Sequence, residues 1–144
     1  RRRPPRATQS RSSAASDVYK RQQQVRAELG FAAAADSARM WDPTLGASAL
    51  LDVGIYPATF AYLLLGEPKK IVATGVLSDQ GIDVNAGATL TYENGAVANI
   101  AWNQVACSDN RASVAGTGGL IEMHPRFHET TGLTVTRGLS LIHL

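Results

Sequence analysis

An abrupt change in the spacing of apolar residues, near residue 69, constrains the fold of this chain more than any other feature. Residues 47–66, ASALLDVGIYPATFAYLLLG, form one long apolar stretch that is followed by Pro68, and Gly66 gives the usual signal of a helix end. From residue 69 onward, apolar and polar residues alternate, and turn residues recur about every ten positions. A single helix followed by a meander of strands predicts an α+β fold in which the helix covers one face of an open, mainly antiparallel sheet.

Two local expectations concern the predicted helix. Leu50, Leu51, Ile55 and Phe60 are the candidates for the stripe that faces the core. Pro57 has no backbone N–H to donate, so we expect it to end a first helical segment or to kink the helix.

Strand regions are predicted on both sides of this helix. The segment at 23–32 alternates imperfectly, which suits a strand that leads into an irregular connection at 33–46. After the helix, Asn94-Gly95 predicts a two-residue hairpin turn in which both residues have positive φ, and GTGG at 116–119 predicts a second bend. The candidate strands of this half are 69–79, 86–95, 96–104, 112–119, 120–125 and 133–138.

Charge is distributed unevenly along the 144 residues. Residues 1–22 hold seven basic residues and one acidic residue, whereas the remainder holds seven basic and eleven acidic residues. The basic end is rich in arginine, serine and proline and poor in large apolar residues, so we expect it to be disordered. A nucleic-acid arm and an organelle transit peptide are two interpretations of such an end. The acidic body argues against nucleic-acid binding.

A third interpretation, which we favour, treats both ends as sequence foreign to the natural protein. SAASDVYKRQ at 13–22 resembles the translated linkers of sequencing libraries, and GLSLIHL at 138–144 resembles the same kind of scar. The sequence also begins without methionine. On this interpretation the chain is a fragment in which one domain occupies residues 23–137, and neither end carries function.

Composition disfavours several kinds of site. Cys107 is the only cysteine, so no intrachain disulfide can form, and a reducing, cytoplasmic location is expected. His124 and His128 have the spacing of metal ligands on a helix, but Pro125 breaks such a helix, so no metal is expected. The most apolar stretch, at 58–66, is far shorter than the roughly 20 residues that cross a bilayer, so no membrane span is expected.

The sharpest candidate site is the pair Asp52 and Tyr56, which lie four residues apart in LLDVGIYP. On a helix this spacing puts both side chains on one face, and Gly54 between them leaves room for a ligand. A carboxylate can orient a neighbouring phenol, and the phenol can act as a general acid or base. A purely structural pair at a helix surface is the alternative explanation.

Two longer segments resemble a known family. RMWDPTLGASALLDVGIYPATFAYLLLGEP at 39–68 is similar to the motif that follows the nucleotide domain in the Gfo/Idh/MocA superfamily (glucose-fructose oxidoreductase, inositol dehydrogenase and rhizopine catabolism), and it is most similar to the dihydrodiol dehydrogenase-like branch. ASVAGTGGLIEMHPRF at 112–127 resembles the strand-turn-strand element near the end of the family's substrate domain. The resemblance spans roughly residues 23–137.

The resemblance implies an NAD(P)-dependent oxidation of a sugar or cyclic diol by hydride transfer. It makes Tyr56 the proton-transfer residue and Asp52 its neighbour in the substrate pocket. Many relatives have histidine where Tyr56 stands, and tyrosine favours the glucose-fructose oxidoreductase and dihydrodiol dehydrogenase branches. It also makes Arg39 and Asp42 candidates for substrate binding, with a solvated loop as the alternative for both.

The family's amino-terminal Rossmann domain, with its glycine-rich phosphate loop and its lysine, is missing from this sequence. GTGG at 116–119 precedes the strand-like LIEMHP, so no helix N-terminus is available there to hold a pyrophosphate. We therefore expect NAD or NADP to be bound mainly by the missing domain, and the isolated chain to be inactive. The alternative to an enzyme fragment is a non-catalytic sheet module for binding or self-association, and relatives often dimerise through this sheet, so a homo-oligomer is expected.

Overall fold

The computed structural model describes residues 22–137 and 140–143 of the chain. Within these ranges eight strands form one sheet, and two α-helices lie between the first and second strands. The strands are β1 (Gln22–Gly30), β2 (Lys70–Leu77), β3 (Asp83–Thr91), β4 (Val97–Asn103), β5 (Ala112–Gly116), β6 (Gly119–Met123), β7 (Leu133–Arg137) and β8 (Ser140–His143). The helices are α1 (Ala38–Trp41) and α2 (Ile55–Leu65), with a π-helical turn at Leu50–Gly54 and 3-10 turns at Pro43–Leu45 and Phe127–Glu129.

The strand order across the sheet is β2-β3-β4-β1-β5-β6-β7-β8. All neighbours pair antiparallel except β1 and β4, which run parallel, with Val25 opposite Ala98. A parallel pair needs a crossover connection, and the segment that contains α2 lies within this one. The predicted α+β fold, an open and mainly antiparallel sheet with a helix on one face, is confirmed.

The two faces of the sheet differ in what covers them. In β1, Val25, Ala27 and Leu29 are buried on the face that α2 covers, and their partners in β4 are Ala98, Ile100 and Trp102. The alternate residues face the other way, where no helix of the described ranges covers the sheet. We call this second surface the open face, and it includes Arg26, Glu28, Thr89, Asn99, Ala101 and Ser113.

Helix α2 and the π-helical turn before it bury a different stripe from the one predicted. Leu50, Leu51 and Ile55 are 41%, 68% and 50% exposed, so their assignment to the core is wrong, whereas Phe60 packs against the core as expected. The helical segment itself is apolar on almost all sides, so the sequence shows no polar face from which the buried side can be inferred. The buried residues are small and lie four apart, which brings the backbone close to the sheet: Val53, Pro57 and Ala61.

The predicted break near Pro57 takes the form of a change in helix type. A π-helical turn ends at Gly54, and the regular α-helix begins at Ile55, so Pro57 is its third residue. The first segment therefore ends three residues before Pro57. The other end of the helix is as predicted, because α2 stops at Leu65 and Gly66 follows with a positive φ of 79°.

The space beside Gly54 is filled by the sheet. A Cβ atom at Gly54 would lie 2.9 Å from two ring atoms of Trp102, so the room that we expected for a ligand is occupied by this indole. One oxygen of the Asp83 carboxylate, Oδ2, accepts hydrogen bonds from Trp102 Nε1 at 3.2 Å and from the backbone N–H of Leu50 at 2.8 Å. The Asp83 carboxylate therefore ties the start of the helical segment to the sheet.

The hairpin predicted at Asn94-Gly95 forms, but with a different turn. Of these two residues only Gly95 has positive φ, 82°. The Gly95 N–H donates to the Tyr92 carbonyl at 3.0 Å, and the Asn94 side-chain oxygen accepts from the Ala96 N–H at 3.0 Å. A four-residue turn from Tyr92 to Gly95 thus replaces the two-residue turn, because the Asn94 side chain completes the turn without a positive φ. The bend at GTGG is confirmed, since Gly116 and Gly119 pair across it.

The structure also bears on the ends of the predicted domain. β1 begins at Gln22, one residue before the predicted start, and β8 lies in the segment interpreted as a linker scar and was not predicted. The predicted disorder of the basic end lies outside the described residues except for Gln22, which is in β1.

No helix in the described ranges is both long enough and apolar enough to cross a membrane.

We expect Gly54→Ala to destabilise the fold by about 1–3 kcal/mol, because the added methyl group overlaps the Trp102 ring. Urea denaturation followed by circular dichroism measures this loss. Gly118→Ala is the matched control, since a Cβ atom there meets nothing within 4 Å. Equal stability of the two variants would contradict the close contact between Gly54 and Trp102.

Candidate active site

Arg39, in the short helix α1, and Asp52, in the π-helical turn, form an ion pair. Arg39 Nε donates to Asp52 Oδ1 at 2.9 Å, and Arg39 Nη2 contacts the same oxygen. The pKa of Arg39 is raised, chiefly by this hydrogen bond, then by the negative charge of Asp52, and to a smaller extent by Tyr56. The structure thus brings together three of the four residues that the sequence singled out: Arg39, Asp52 and Tyr56.

Asp52 is paired with Arg39 and not with Tyr56. Asp52 belongs to the π-helical turn and Tyr56 to α2, so the four-residue spacing does not lie within one regular helix. The Asp52 carboxylate is engaged by Arg39, and no hydrogen bond among the described residues joins it to Tyr56. The simple picture of a carboxylate that orients the phenol directly is replaced by a carboxylate that orients a guanidinium near the phenol.

Tyr56 stands at a cleft on the outer side of α2. Its side chain is 45% exposed, and its ring lies against the imidazole of His128, with centroids 5.1 Å apart and planes tilted by 53°. The cleft has a volume of about 470 Å³. Apart from Tyr56, Thr59 and His128 its walls are apolar, and the described residues that line it are Ile55, Tyr56, Thr59, Phe60, Leu63, Phe127 and His128.

His128 reaches the cleft from a distant part of the sequence. It lies in the 3-10 turn Phe127–Glu129, between β6 and β7, and Phe127 anchors this turn by packing its ring edge-on against Phe60, with centroids 5.5 Å apart. The spacing of His124 and His128 raises only the question of a metal site, and it does not predict the contact between His128 and Tyr56. The contact joins two distant segments, and no local pattern in the sequence signals it.

Asp42 lies apart from the cleft. Its carboxylate accepts hydrogen bonds from the Thr44 N–H at 2.8 Å and from the Thr44 hydroxyl at 2.6 Å, and these bonds lower its pKa. It caps the 3-10 turn that starts at Pro43, and it borders a separate depression beside Trp41 and Gln80. A contact between Asp42 and substrate stays a prediction, and the capping bonds give this residue a structural role.

Gln104 holds the segment that contains α1 and Arg39, and no pattern in the sequence predicts this role. Its side chain is completely buried, and its Nε2 donates to the Met40 carbonyl at 2.9 Å. Its backbone carbonyl accepts from the Ala33 N–H at 2.9 Å. Two points of this segment are therefore fixed to the end of β4, which sets the position from which Arg39 reaches Asp52.

Two other motifs lie away from this cleft. The GTGG turn joins β5 directly to β6, so it lies between two strands and not at a helix N-terminus. His124 donates to or accepts from Thr134 Oγ1 at 3.1 Å. Within the described ranges, no group of three or more His, Cys, Asp and Glu side chains is arranged to hold a metal ion.

Comparison with known proteins identifies the sequence family. Residues 15–122 match the model of the GFO/IDH/MocA C-terminal domain. A trans-1,2-dihydrobenzene-1,2-diol dehydrogenase of Danio rerio is 34% identical over 113 residues, which are 77% of this chain and 34% of that protein. A D-xylose 1-dehydrogenase (NADP(+)) of Haloferax volcanii is 33% identical over 95 residues, which are 65% of this chain and 29% of that protein.

A solved structure shares the fold. The aldose-aldose oxidoreductase of Caulobacter crescentus, complexed with glycerol, superposes with a TM-score of 0.78 at 21% identity, and the match covers 92% of this chain and 42% of that one. The chain thus spans about a third of the length of the curated relatives that it matches, 34% and 29%.

We expect Thr44→Val to raise the pKa of Asp42, because the variant loses the hydroxyl that donates to the carboxylate. Since folding lowers this pKa, the stabilisation from Asp42 is present above its unfolded pKa of about 3.9 and is lost as the pH falls through the folded value. The variant should therefore lose less stability between pH 5 and pH 2, both approximate limits of that window. NMR titration of the Asp42 carboxyl carbon measures the shift.

Thr74→Val, on the exposed edge strand β2, is the control for this titration. An Asp42 pKa that is the same in wild type and in Thr44→Val would show that the hydroxyl contributes nothing to it.

Proposed function

Because the chain belongs to the Gfo/Idh/MocA oxidoreductase family, we propose that it supplies the substrate cleft of an NAD(P)-dependent enzyme that oxidises or reduces a sugar or cyclic diol by hydride transfer. The observation that carries this proposal is the position of Tyr56, half-exposed in a cleft and next to the Arg39–Asp52 ion pair. The names of the relatives, a dihydrodiol dehydrogenase and a xylose dehydrogenase, support a substrate with neighbouring hydroxyl groups.

Tyr56 is the proposed proton-transfer residue. In the oxidation direction, the substrate hydroxyl gives its proton to the Tyr56 oxygen, and the carbon that bears this hydroxyl loses a hydride and becomes a carbonyl carbon. A nicotinamide cofactor, when bound, supplies the acceptor for that hydride. Arg39 is cationic, as arginine is at any ordinary pH, and Asp52 holds its guanidinium near the phenol, where the positive charge stabilises the Tyr56 oxygen during proton transfer.

The outer face of the helical segment is the proposed contact with a nucleotide-binding domain. Leu51, Ile55, Tyr62 and Leu63 are exposed there, and such a row of large apolar side chains on one helix face is typical of a surface that another element covers. The matched residues make up only 34% and 29% of the two relatives, so those proteins have additional chain length for such a domain. The GTGG turn lies between strands, so we assign the phosphates of the cofactor to that domain and only its nicotinamide end to the Tyr56 cleft.

Tyr56→Phe tests the catalytic proposal in a protein that joins this chain to the nucleotide domain of a dihydrodiol dehydrogenase. We expect turnover of a cyclic 1,2-diol to fall at least about 100-fold, since removal of a general acid–base group typically costs two or more orders of magnitude. NADPH or NADH formation at 340 nm is the general optical readout for such cofactors.

Tyr92→Phe is the matched control, because Tyr92 is buried in the core, does not line the cleft, and its hydroxyl has no hydrogen-bond partner among the described residues. If Tyr56→Phe turned over as fast as Tyr92→Phe, Tyr56 would have no role in proton transfer, and the cleft would not be the active site.

A second role, self-association through the open face, is favoured by the shape of that surface. A groove of about 620 Å³ crosses β1, β3, β4 and β5 on the side away from α2. Its floor contains small side chains at Gly87, Ala101 and Ser113, with Arg26 and Glu122 among the charged groups. A broad, shallow surface with a small-residue centre and charged neighbours suits a flat partner such as a second copy of the same sheet. This role can coexist with catalysis.

We expect Ala101→Arg to lower the fraction of dimer, because the long new side chain stands in the middle of the open face and would keep a second sheet from close contact. Sedimentation velocity of the 144-residue chain, at matched concentrations, measures the effect. Val105→Arg adds the same charge to an exposed loop position and should leave the dimer fraction unchanged. Identical sedimentation of wild type and Ala101→Arg would exclude the open face as the interface.

A further inference from the structure

His128 has unused hydrogen-bonding capacity next to the proposed proton-transfer residue. Its Nδ1 is buried and has no hydrogen-bond partner within the described part of the chain. Its Nε2 lies 3.9 Å from Glu129 Oε1, which is beyond hydrogen-bond distance. A buried polar atom without a partner is costly, and it calls for an explanation such as a water, an ion or a functional role.

The turn that carries His128 is held in place by backbone and side-chain contacts of its neighbours, Arg126 and Phe127. Arg126 has a positive φ of 62°, and its guanidinium pairs with Glu129 at 2.7 Å across the turn. Phe127 is buried, and its N–H donates to the Asn110 carbonyl at 3.0 Å. These contacts fix the backbone on both sides of His128, so the position of the imidazole over the Tyr56 ring is set by the fold.

We propose that His128 is a specificity-determining residue of the cleft, and that its imidazole hydrogen-bonds the hydroxyl adjacent to the one that transfers its proton to Tyr56. The cleft then selects vicinal diols. This inference rests on the proposed function, because it takes the Tyr56 cleft to be the substrate site. A turn of about 180° about the Cβ–Cγ bond exchanges the two edges of the imidazole, so the ring can present a nitrogen to the cleft without moving the backbone.

The side chains that line the cleft explain why a second hydroxyl would be recognised there. Besides Tyr56 and His128, its only polar lining residue is Thr59, and the other four are Ile55, Phe60, Leu63 and Phe127. Tyr56 and His128 are in ring contact, so two groups that each pair with one of them must be close neighbours on the ligand. Hydroxyls on adjacent carbons meet that condition. An alcohol with one hydroxyl leaves either the phenol or the imidazole without a partner.

The test is a binding measurement on the 144-residue chain, without cofactor or turnover. Proton–carbon NMR of the histidine rings is followed while trans-1,2-cyclohexanediol or cyclohexanol is added. We expect the diol to shift the His128 resonances and to bind about five- to tenfold more tightly than cyclohexanol, which is the preference that one hydrogen bond typically gives. His128→Phe, which keeps a ring against Tyr56, should abolish this preference.

Two further variants keep the outcome decisive. His128→Gln retains a hydrogen-bonding side chain and should restore part of the preference for the diol. His124→Phe removes a histidine that bonds Thr134 outside the cleft, and it should leave the preference unchanged. Thermal unfolding of each variant verifies that it is folded.

Equal affinity for the diol and for cyclohexanol in the wild-type chain, or no diol-induced shift at His128, would overturn the assignment of His128. So would a diol preference that survives in His128→Phe. None of these results depends on hydride transfer. If the His128 assignment fails, a fused enzyme that is active and that loses turnover in Tyr56→Phe still supports the proposed function.

Discussion

The contact between Gly54 and the Trp102 ring fixes the distance between the helix and the sheet, and the position of the candidate site follows from it. A Cβ atom on residue 54 would overlap the indole, so the helix backbone lies as close to β4 as a glycine allows. Asp83 secures the same junction by accepting from both the indole and the backbone of Leu50. Tyr56 follows two residues after Gly54, so its side chain is held at a set height above the sheet.

Close packing on one side of the helix has a consequence on the other side. Because Val53, Pro57 and Ala61 are small enough to bring the helix onto the sheet, the large apolar side chains of the segment remain exposed on the outer surface. These exposed side chains and the Tyr56 cleft lie on the same helical segment. A domain that covered the outer face would therefore also close over the cleft, which is the arrangement expected when a cofactor and a substrate must meet.

The candidate site is assembled from three segments that are far apart in the chain. Arg39 comes from α1, which Gln104 anchors, Tyr56 from α2, and His128 from the turn that Phe127 anchors. In each case a buried or core-packed residue positions a more exposed residue of the candidate site. Asp52 adds a further constraint, because its carboxylate orients the Arg39 guanidinium towards the same region. The chemistry of the cleft thus depends on long-range packing more than on the helix motif alone.

The sequence by itself determined the features that depend on local spacing. Alternating side chains predicted β2 to β7, glycine ended the helix at Gly66, and the helix motif identified Tyr56. Only the tertiary structure decided which side of the helix is buried, because an almost wholly apolar segment contains no periodic contrast to show it. It also decided the partners of Asp52 and Tyr56, namely Arg39 and His128. These contacts join residues that are distant in the chain, and they depend on the packing of separate elements, which no local pattern encodes.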